Sequence, residues 1–304
     1  MTNLSEFTFL SSDGKTQLHG MLWEPEGVAV RAVLQICHGV AEHIARYDGF
    51  ARALNEQGIV VAGHDHLGHG KSLPEGGTPV YFGQGSTWNT VVDDIYILHQ
   101  RLKQRYPDVP LCIMGHSMGS FLTRTYLIRY PGTVKAAVIM GTGWQPRAAI
   151  TGGLALANAI AAVSGENATS ELVTELAFGS YNKLFAPNRT KVDWLSADES
   201  NVDDYIADPL CGADATVGLF RQMLHGIRFN QRQSHLRQMD KQMPVLFVAG
   251  DKDPVGNCGK GVRQTYDAFK AAGMRDCTLK LYPGLRHEIL NEKAYTADIT
   301  KNIE

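Results

Sequence analysis

Five residues in the middle of the chain have the spacing of a serine nucleophile. Gly115-His116-Ser117-Met118-Gly119 is a G-x-S-x-G pattern, which is short enough to occur by chance, so its neighbours decide what it predicts. The segment PLCIM before it is typical of a buried strand, and FLTRTYLIRY after it is typical of a helix. Flanking glycines let the strand and helix approach, and the tight turn exposes the serine hydroxyl. The pattern predicts covalent catalysis by Ser117; the alternative is a glycine-rich turn without catalysis.

A nucleophilic serine needs a base and an acid, which in this arrangement follow it along the chain in the order Asp, then His. The loop GDKDPVG after a predicted strand offers Asp251 and Asp253, and His287 follows the last predicted strand. Strand carboxyl ends are where an open α/β sheet places its site. We predict that His287 is the general base; the alternative is a surface-loop histidine. We prefer Asp253 as the acid because it precedes Pro254 at the loop tip, whereas Asp251 is expected to hydrogen-bond the loop.

Ester or amide cleavage through a serine also requires backbone amides that stabilise the oxyanion of the tetrahedral intermediate. The first should be the N–H of Met118, at the start of the helix after the nucleophile. The second should come from the loop HGVAEH, which follows the predicted strand AVLQIC. His38 and Gly39 bring this loop close to the site, and we predict that the N–H of Val40 is the donor.

A histidine-rich segment, HDHLGHGKS, suggests two other kinds of site at first sight. His64, His66 and His69 mimic the H-x-H-x-D-H zinc cluster, and the segment nearly matches the phosphate-binding pattern G-x-x-x-x-G-K-[ST]. Each match fails at one position, because Gly68 replaces the aspartate of the cluster and Asp65 replaces the first glycine of the phosphate loop. We therefore predict a supporting loop in which His64, Asp65 and His66 form hydrogen bonds beneath the site. We predict no metal and no other cofactor.

The composition of the chain disfavours several other classes of function. Its 304 residues include 29 basic and 31 acidic ones, a net charge of −2 without a basic run, which argues against nucleic-acid binding. The five cysteines form no C-x-x-C pair, as expected of reduced thiols. The first residues lack the pattern of a signal peptide, and the longest apolar stretch, 148–163, falls short of the ~20 residues that span a bilayer. We expect a soluble, cytoplasmic protein.

Strands that alternate with amphipathic helices must position these side chains. After a predicted hairpin around Asp13-Gly14, strand and helix patterns alternate from Ala32 to about Gly143 and resume at Pro244. This alternation requires parallel strands joined by crossover helices. We therefore predict an α/β protein with a mostly parallel, doubly wound sheet, formed by residues 1–143 and 243–304.

The interval 144–242 interrupts the alternation and carries helix-like patterns without an obvious strand. We predict that it is an inserted helical cap, or lid, and we call it the cap below. Its apolar runs Leu154–Val163 and Val217–Ile227 could line a channel for an acyl chain, or could simply pack the cap on the core. The same apolar faces would suit transient contact with a membrane surface.

Several motifs together carry a family resemblance. HGVAEHIARY, HDHLGHGKS, GHSMGS, GDKDPVG and LYPGLRHEILNE resemble the monoacylglycerol lipase and lysophospholipase group of the α/β-hydrolase superfamily, which some group with the serine aminopeptidases of family S33. The resemblance implies the α/β-hydrolase fold and a triad of Ser117, Asp253 and His287. It also implies an oxyanion hole formed by the amides of Val40 and Met118, in agreement with the prediction from the residues.

Two further residues are implied by the resemblance alone. In monoacylglycerol lipases the Glu and Arg of the segment HG-x-x-E-H-x-x-x-R-Y face the glycerol head group, and these positions are Glu42 and Arg46 here. The sequence departs from the family pattern GHSMGG at Ser120, one position past the elbow. The resemblance implies a small acyl ester as substrate.

The sequence therefore predicts a carboxylic ester hydrolase that cleaves single-chain lipid esters through an acyl-enzyme on Ser117. Alternatives are an aminopeptidase or amidase, a short-chain carboxylesterase on the same triad, and a non-catalytic binding protein. An aminopeptidase would need acidic cap residues to hold the amino group of its substrate, although such residues usually form a solvated face. The candidates are Glu171, Glu175, Asp198, Glu199, Asp203 and Asp204. Serine at the elbow disfavours dehalogenase and epoxide-hydrolase chemistry. The sequence predicts nothing about oligomeric state.

Overall fold

A single mixed sheet of eight strands organises the part of the chain that the computed structural model describes, residues 1–292. The strands are β1 (Thr2–Leu10), β2 (Gln17–Pro25), β3 (Ala32–Cys37), β4 (Ile59–His64), β5 (Leu111–His116), β6 (Ala137–Met140), β7 (Val245–Gly250) and β8 (Cys277–Tyr282). Their order is β1-β2-β4-β3-β5-β6-β7-β8. The pairs β1–β2 and β2–β4 are antiparallel, and the five other pairs are parallel. The predicted α/β class with a mostly parallel sheet is confirmed.

Helices cover both faces of this sheet, and further helices follow β6. The described helices are α1 (Asp48–Glu56), α2 (Trp88–Arg105), α3 (Met118–Arg129), α4 (Arg147–Ser164), α5 (Glu171–Phe178), α6 (Glu199–Ala207), α7 (Val217–Asn230), α8 (Gln233–Leu236) and α9 (Lys260–Ala271). Successive strand residues point to opposite faces, so Val60 of β4 joins the core under α2 and α3, while Val61 joins the core under α1. Both faces are buried, which explains why the parallel strands are continuous apolar runs.

Two helices begin at other residues than their apolar patterns predict. The pattern of residues 90–107 predicts a helix from Thr90, but α2 begins at Trp88, because Thr87 and Thr90 form a reciprocal capping box. The pattern of residues 46–58 predicts a helix from Arg46, but α1 begins at Asp48 and follows a 3-10 turn over Ile44–Tyr47. The expected hairpin around Asp13-Gly14 is present, with Gly14 at a φ of 76°.

The cap residues lie between β6 and β7, which are neighbours in the sheet. Helices α4 to α8 occupy this interval, and an isolated antiparallel bridge joins Thr169 to Thr216, which the helical pattern did not predict. The division into a core of 1–143 with 243–304 and a cap of 144–242 stays a prediction, and residues 293–304 of the core segment lie outside the described residues.

Helix α4 is a long, apolar helix with much of its surface exposed. It has 18 residues with a mean hydropathy of 1.3, so by length and composition it is the one described helix that could cross a bilayer. One such helix does not establish a membrane span. α4 packs closely against α7. A Cβ on Gly153 of α4 would lie only 2.9 Å from Leu224 Cδ1 of α7. Only Ile150, Leu154 and Ala157 of α4 are buried. The helix therefore presents a largely apolar outer face.

Candidate active site

The predicted nucleophile occupies a strained turn between β5 and α3. Ser117 follows the last residue of β5, precedes Met118 at the start of α3, and has φ 53° and ψ −120°. A positive φ is unfavourable for a residue with a side chain and is typical of functional turns. The N–H of Ser117 donates to the carbonyl of Met140, which ties the turn to β6. The local structure is the strand–turn–helix setting that the pattern predicted.

Two glycines make this turn possible because no side chain fits at their positions. A Cβ on Gly115 would lie 2.2 Å from the carbonyl oxygen of Gly119, and a Cβ on Gly119 would lie 2.0 Å from the carbonyl oxygen of Cys37. Both distances are far below van der Waals contact. The glycines therefore let α3 pack directly on β5 and on the loop after β3, where the predicted oxyanion donors lie.

The structure brings Asp253 and His287 together at the carboxyl ends of β7 and β8. His287 Nδ1 lies 3.0 Å from Asp253 Oδ1, and both side chains are almost fully buried. Because the carboxylate accepts at Nδ1, the imidazole carries its proton there and presents an unprotonated Nε2. Asp251 does not contact the imidazole; it accepts instead from the N–H of Gly284 at 2.8 Å. The geometry agrees with the choice of Asp253 over Asp251, although its catalytic role stays a prediction.

The loop after β3 lies directly beside the nucleophile. A Cβ on Gly39 would be 3.1 Å from Ser117 Cβ, and Gly39 and Val40 border the same cavity as Ser117. Gly39 donates its N–H to Glu42 Oε1, so this amide is already used within the loop. Met118 is the first residue of α3, where amides have no acceptor inside the helix. The amides of Val40 and Met118 are thus placed near the nucleophile and stay the predicted oxyanion donors.

A cavity of about 780 Å³ lies above Ser117 and His287, between the core and the cap. Its cap side is largely apolar and includes Phe178, Val192, Trp194, Leu195, Tyr205 and Ala213. The runs Leu154–Val163 and Val217–Ile227, which the sequence offered as channel walls, contribute none of the described lining residues. They pack instead on each other and, through α7, on α3. Of the two alternatives for these runs, packing describes the structure, and residues between 174 and 215 line the cavity.

Glu42 and Arg46 belong to a buried network of charges that we call the charge cluster, with Glu288 and His116. Arg46 contacts Glu42 at 3.0 Å and binds both oxygens of Glu288, at 2.7 and 2.8 Å. Burial alone would raise the pKa of Glu42, but hydrogen bonding and charge from His116 and the charge of Arg46 outweigh burial and lower it. Glu42 borders the main cavity, whereas Arg46 lies behind it.

Sequence reasoning missed Glu288 and His116 as members of this site. Each is the immediate neighbour of a predicted triad residue, His287 and Ser117 respectively, and that adjacency is the signal that could have found them. Their pairing could not be seen in the sequence, because Arg46 and Glu288 are 242 positions apart.

Comparison with known proteins identifies the family of the chain. The sequence model of the serine aminopeptidase S33 family matches residues 28–294. The chain belongs to this family. This match confirms the family that the motifs indicated. Relatives align with most of the chain.

Two curated relatives and one solved structure illustrate this similarity. The monoacylglycerol lipase of Mycolicibacterium smegmatis is 31% identical over 293 residues, 95% of this chain and 91% of the relative. The human monoglyceride lipase is 28% identical and covers 93% of this chain and 83% of its own length. The crystal structure of a thermostable carboxyl esterase from Bacillus coagulans in complex with glycerol superposes with a TM-score of 0.91 at 26% identity, covering 100% of this chain and 97% of that one.

The histidine-rich loop of this S33-family chain is buried beneath the site and is only partly held by hydrogen bonds. Asp65 behaves as expected: it accepts from the N–H groups of Ile44 and Lys71 at 2.8 and 2.9 Å. The imidazoles of His64 and His66 differ from the expectation, because among the described residues their ring nitrogens have no hydrogen-bond partner. Their rings contact each other edge to face, 5.0 Å apart. The two imidazoles serve as packing groups, whereas the backbone N–H of His66 donates to His38 Nε2 at 3.0 Å.

Burial of these imidazoles predicts a loss of stability in acid. Burial lowers the pKa of His64 to about 3 and that of His69 to about 4, whereas an unfolded histidine titrates near pH 6.5. Below about pH 6.5 the unfolded chain binds protons that the folded chain does not. The free energy of unfolding therefore decreases as the pH is lowered. Each such histidine contributes a slope of about 1.4 kcal/mol per pH unit in this range. We expect His64→Phe to reduce the slope measured by denaturant titration between pH 6 and 5.

The matched control is Phe9→Leu, because the Phe9 ring contacts His64 with ring centroids 5.2 Å apart and carries no titrating group. This variant should lower stability at every pH while keeping the wild-type slope. An unchanged slope in His64→Phe would contradict the assignment of a neutral buried imidazole.

Proposed function

We propose that this chain is a serine hydrolase that cleaves carboxylic esters of single-chain lipids, such as monoacylglycerols, through an acyl-enzyme on Ser117. The observation that carries the proposal is the buried Asp253–His287 pair, whose His287 borders the same largely apolar cavity as Ser117 at its strained turn. Relatives named as monoacylglycerol or monoglyceride lipases cover most of the chain and support an ester of this class.

In the proposed mechanism Ser117 Oγ attacks the ester carbonyl carbon while His287 Nε2 takes the hydroxyl proton. Asp253 holds the tautomer and stabilises the imidazolium that forms. The amides of Val40 and Met118 would bind the oxyanion, a contribution of several kcal/mol in comparable sites. His287 then returns the proton to the departing alcohol. Water, deprotonated by the same imidazole, hydrolyses the acyl-enzyme and releases the fatty acid.

The residues that line the cavity suit both the acyl chain and the head group of such a substrate. Phe178, Trp194 and Leu195 offer apolar surface for an acyl chain, and a volume of about 780 Å³ is within the range of cavities that enclose small molecules. Glu42 borders the cavity beside Ser117, so we propose that it faces the head group. Arg46 would act through its ion pair with Glu42.

Aminopeptidase activity is the competing function, and the contacts of three acidic cap residues do not favour it. Glu175 borders the cavity but pairs with Lys183 at 2.8 Å, and Asp203 pairs with Arg189 at 2.7 Å. Asp198 caps α6 by accepting from the N–H of Ser200. Acidic groups that already have partners leave less charge for a substrate amino group.

Hydrolysis of a substrate panel tests the proposal. Purified full-length chain should release fatty acid from a monoacylglycerol faster than from a lysophospholipid, and should act far more slowly on an aminoacyl arylamide. A short acyl ester should be turned over with a higher KM, because it leaves the apolar cavity unfilled. Faster cleavage of the arylamide would reject the ester proposal, and turnover of the short ester alone would move the substrate away from lipids.

We also propose transient contact between the cap and a membrane surface. Large apolar side chains are exposed there, including Val163, Leu172, Leu176 and Leu184, and such a patch is typical of an interaction surface. Within the substrate panel, Leu172→Glu should slow cleavage of monoacylglycerol in phosphatidylcholine vesicles but not of the dissolved short ester. Equal effects on both substrates would contradict membrane contact.

The cytoplasm is the location that we propose. All five cysteines are free thiols, which supports a reducing compartment.

A further inference from the structure

His116 is a buried histidine between the nucleophile and the base to which the proposed mechanism gives no part. It is the last residue of β5, directly before Ser117, and is 4% exposed. Its Nδ1 lies 3.1 Å from Glu42 Oε1, and its Nε2 lies 3.3 Å from the carbonyl oxygen of His287. Both ring nitrogens therefore face oxygen atoms that belong to other functional loops.

Neither of these oxygens can donate a hydrogen bond. A backbone carbonyl only accepts. The Glu42 carboxylate already accepts from the N–H of Gly39, the hydroxyl of Tyr47 and the guanidinium of Arg46, which requires its ionised form. A neutral imidazole has only one N–H, so in either tautomer one of its lone pairs would point at an oxygen lone pair. Only the doubly protonated ring satisfies both contacts.

We propose that His116 is a lasting imidazolium cation and a positioning residue, which ties the loop carrying His287 to the oxyanion loop through Glu42. The tie is continuous: the imidazolium donates to the His287 carbonyl on one side and to Glu42 on the other, and Glu42 in turn holds the N–H of Gly39. The proposal rests on the function proposed above, because it gives a role to the loops of that same site.

Charge balance in the charge cluster points the same way. Glu42 and Glu288 carry two negative charges, and Arg46 carries one positive charge, all with side chains that are nearly buried. An uncompensated buried charge is strongly destabilising, and an imidazolium at His116 makes the cluster neutral. Burial opposes this form, but the hydrogen bond and charge of Glu42 outweigh burial and raise the pKa of His116.

The cation has a consequence for the base beside it. The rings of His116 and His287 lie with centroids 4.6 Å apart at an angle of 41°. A positive charge so close repels the charge that His287 gains when it takes the serine proton. The other charges that face His116 are Glu42, Glu288 and Asp253, and Arg46 lies behind the two glutamates. These carboxylates offset the repulsion between the two rings.

The direct test is the protonation state of His116 in the full-length chain with 15N-labelled histidine. Ring-nitrogen spectra at pH 7 should show both nitrogens of His116 protonated. His99 is the internal control: it is also buried, but its pKa is lowered to about 4 by burial, so one of its nitrogens should be unprotonated. An unprotonated nitrogen on His116 at pH 7 overturns the proposal. This spectrum requires no variant and no substrate.

Kinetics of His116→Gln test the positioning role. We expect kcat to fall about 10²-fold with little change in KM, as expected of a misplaced catalytic group. His99→Gln should change neither quantity. A rise in KM as large as the fall in kcat would make His116 a structural residue only.

A double variant separates charge from folding. His116→Gln leaves one negative charge in excess in the cluster, and adding Glu42→Gln restores neutrality, so the double variant should be more stable than His116→Gln alone. Equal or lower stability of the double variant would overturn the charge argument. These outcomes are distinct from failure of the proposed function, since loss of ester cleavage in wild type would leave the nitrogen spectrum of His116 unchanged.

Discussion

Ser117→Ala should lower kcat for monoacylglycerol hydrolysis by about 10⁶-fold, the loss seen when a nucleophile of this kind is removed. The expected loss is this large because no other oxygen replaces Ser117 Oγ in the turn between β5 and α3, so no acyl-enzyme forms. The fold should persist, since alanine removes one hydroxyl and keeps the Cβ. Steady-state rates and mass spectrometry of the fluorophosphonate-labelled chain measure the effect.

Ser120→Ala is the matched control for this prediction. It removes the same hydroxyl three residues later, where the side chain donates to the carbonyl of Ser117 at 2.6 Å within α3. Turnover close to wild type is expected there, with the fluorophosphonate still attached to Ser117. Wild-type turnover by Ser117→Ala would remove the nucleophile from the proposal, and labelling at another serine would relocate it.

Asp253→Asn should lower kcat by about 10⁴-fold while KM changes little. The asparagine keeps the size of the side chain, but its amide N–H can face Nδ1 of His287, which places the imidazole proton on Nε2. In that tautomer the base cannot take the serine proton at neutral pH. The loss should lessen at high pH if hydroxide replaces the general base. A pH profile of kcat from pH 6 to 10 measures both effects.

Asp251→Asn offers a control of the same chemistry two residues away. Its carboxylate accepts from the N–H of Gly284, so its loss should weaken the loop between β8 and His287 with a much smaller effect on kcat. If Asp251→Asn were the inactive variant and Asp253→Asn the active one, the acid of the triad would have to be reassigned. The pair of variants thus decides between the two candidates that the sequence offered.

The nucleophile turn and its neighbours could be predicted because their determinants are local. A buried strand that contains Gly115, the turn at Ser117 and a helix that contains Gly119 follow one another without a gap, and the sterics of the turn leave little choice of conformation. The placement of Asp253 and His287 also followed from strand order, since both come after parallel strands that end at one edge of the sheet. The family match confirms the resemblance on which the remaining assignments depended.

The charge cluster and the cavity wall could not be predicted, because they depend on long-range packing. Arg46 and Glu288 form an ion pair although they lie near opposite ends of the chain. No periodicity in the sequence predicts such a pair. The sequence left open whether the most apolar runs of the cap line an acyl channel or pack on the core, and in the structure their hydrophobic faces pack α4 on α7. Less apolar segments, such as the turn containing Trp194, line the cavity instead.

The position of the cap in the chain has a thermodynamic consequence. β6 and β7 pair in parallel, with Ala137 opposite Val245, so the cap is one long excursion between neighbouring strands. The entropy of closing a loop grows only with the logarithm of its length, at about 0.6 kcal/mol for each doubling. An excursion roughly eight times longer than a minimal crossover of about 12 residues therefore costs the core only about 1.8 kcal/mol. Because the entropy cost of a longer cap is low, the cap can change in length and sequence to suit new substrates. The core that carries Ser117 and His287 then loses little stability.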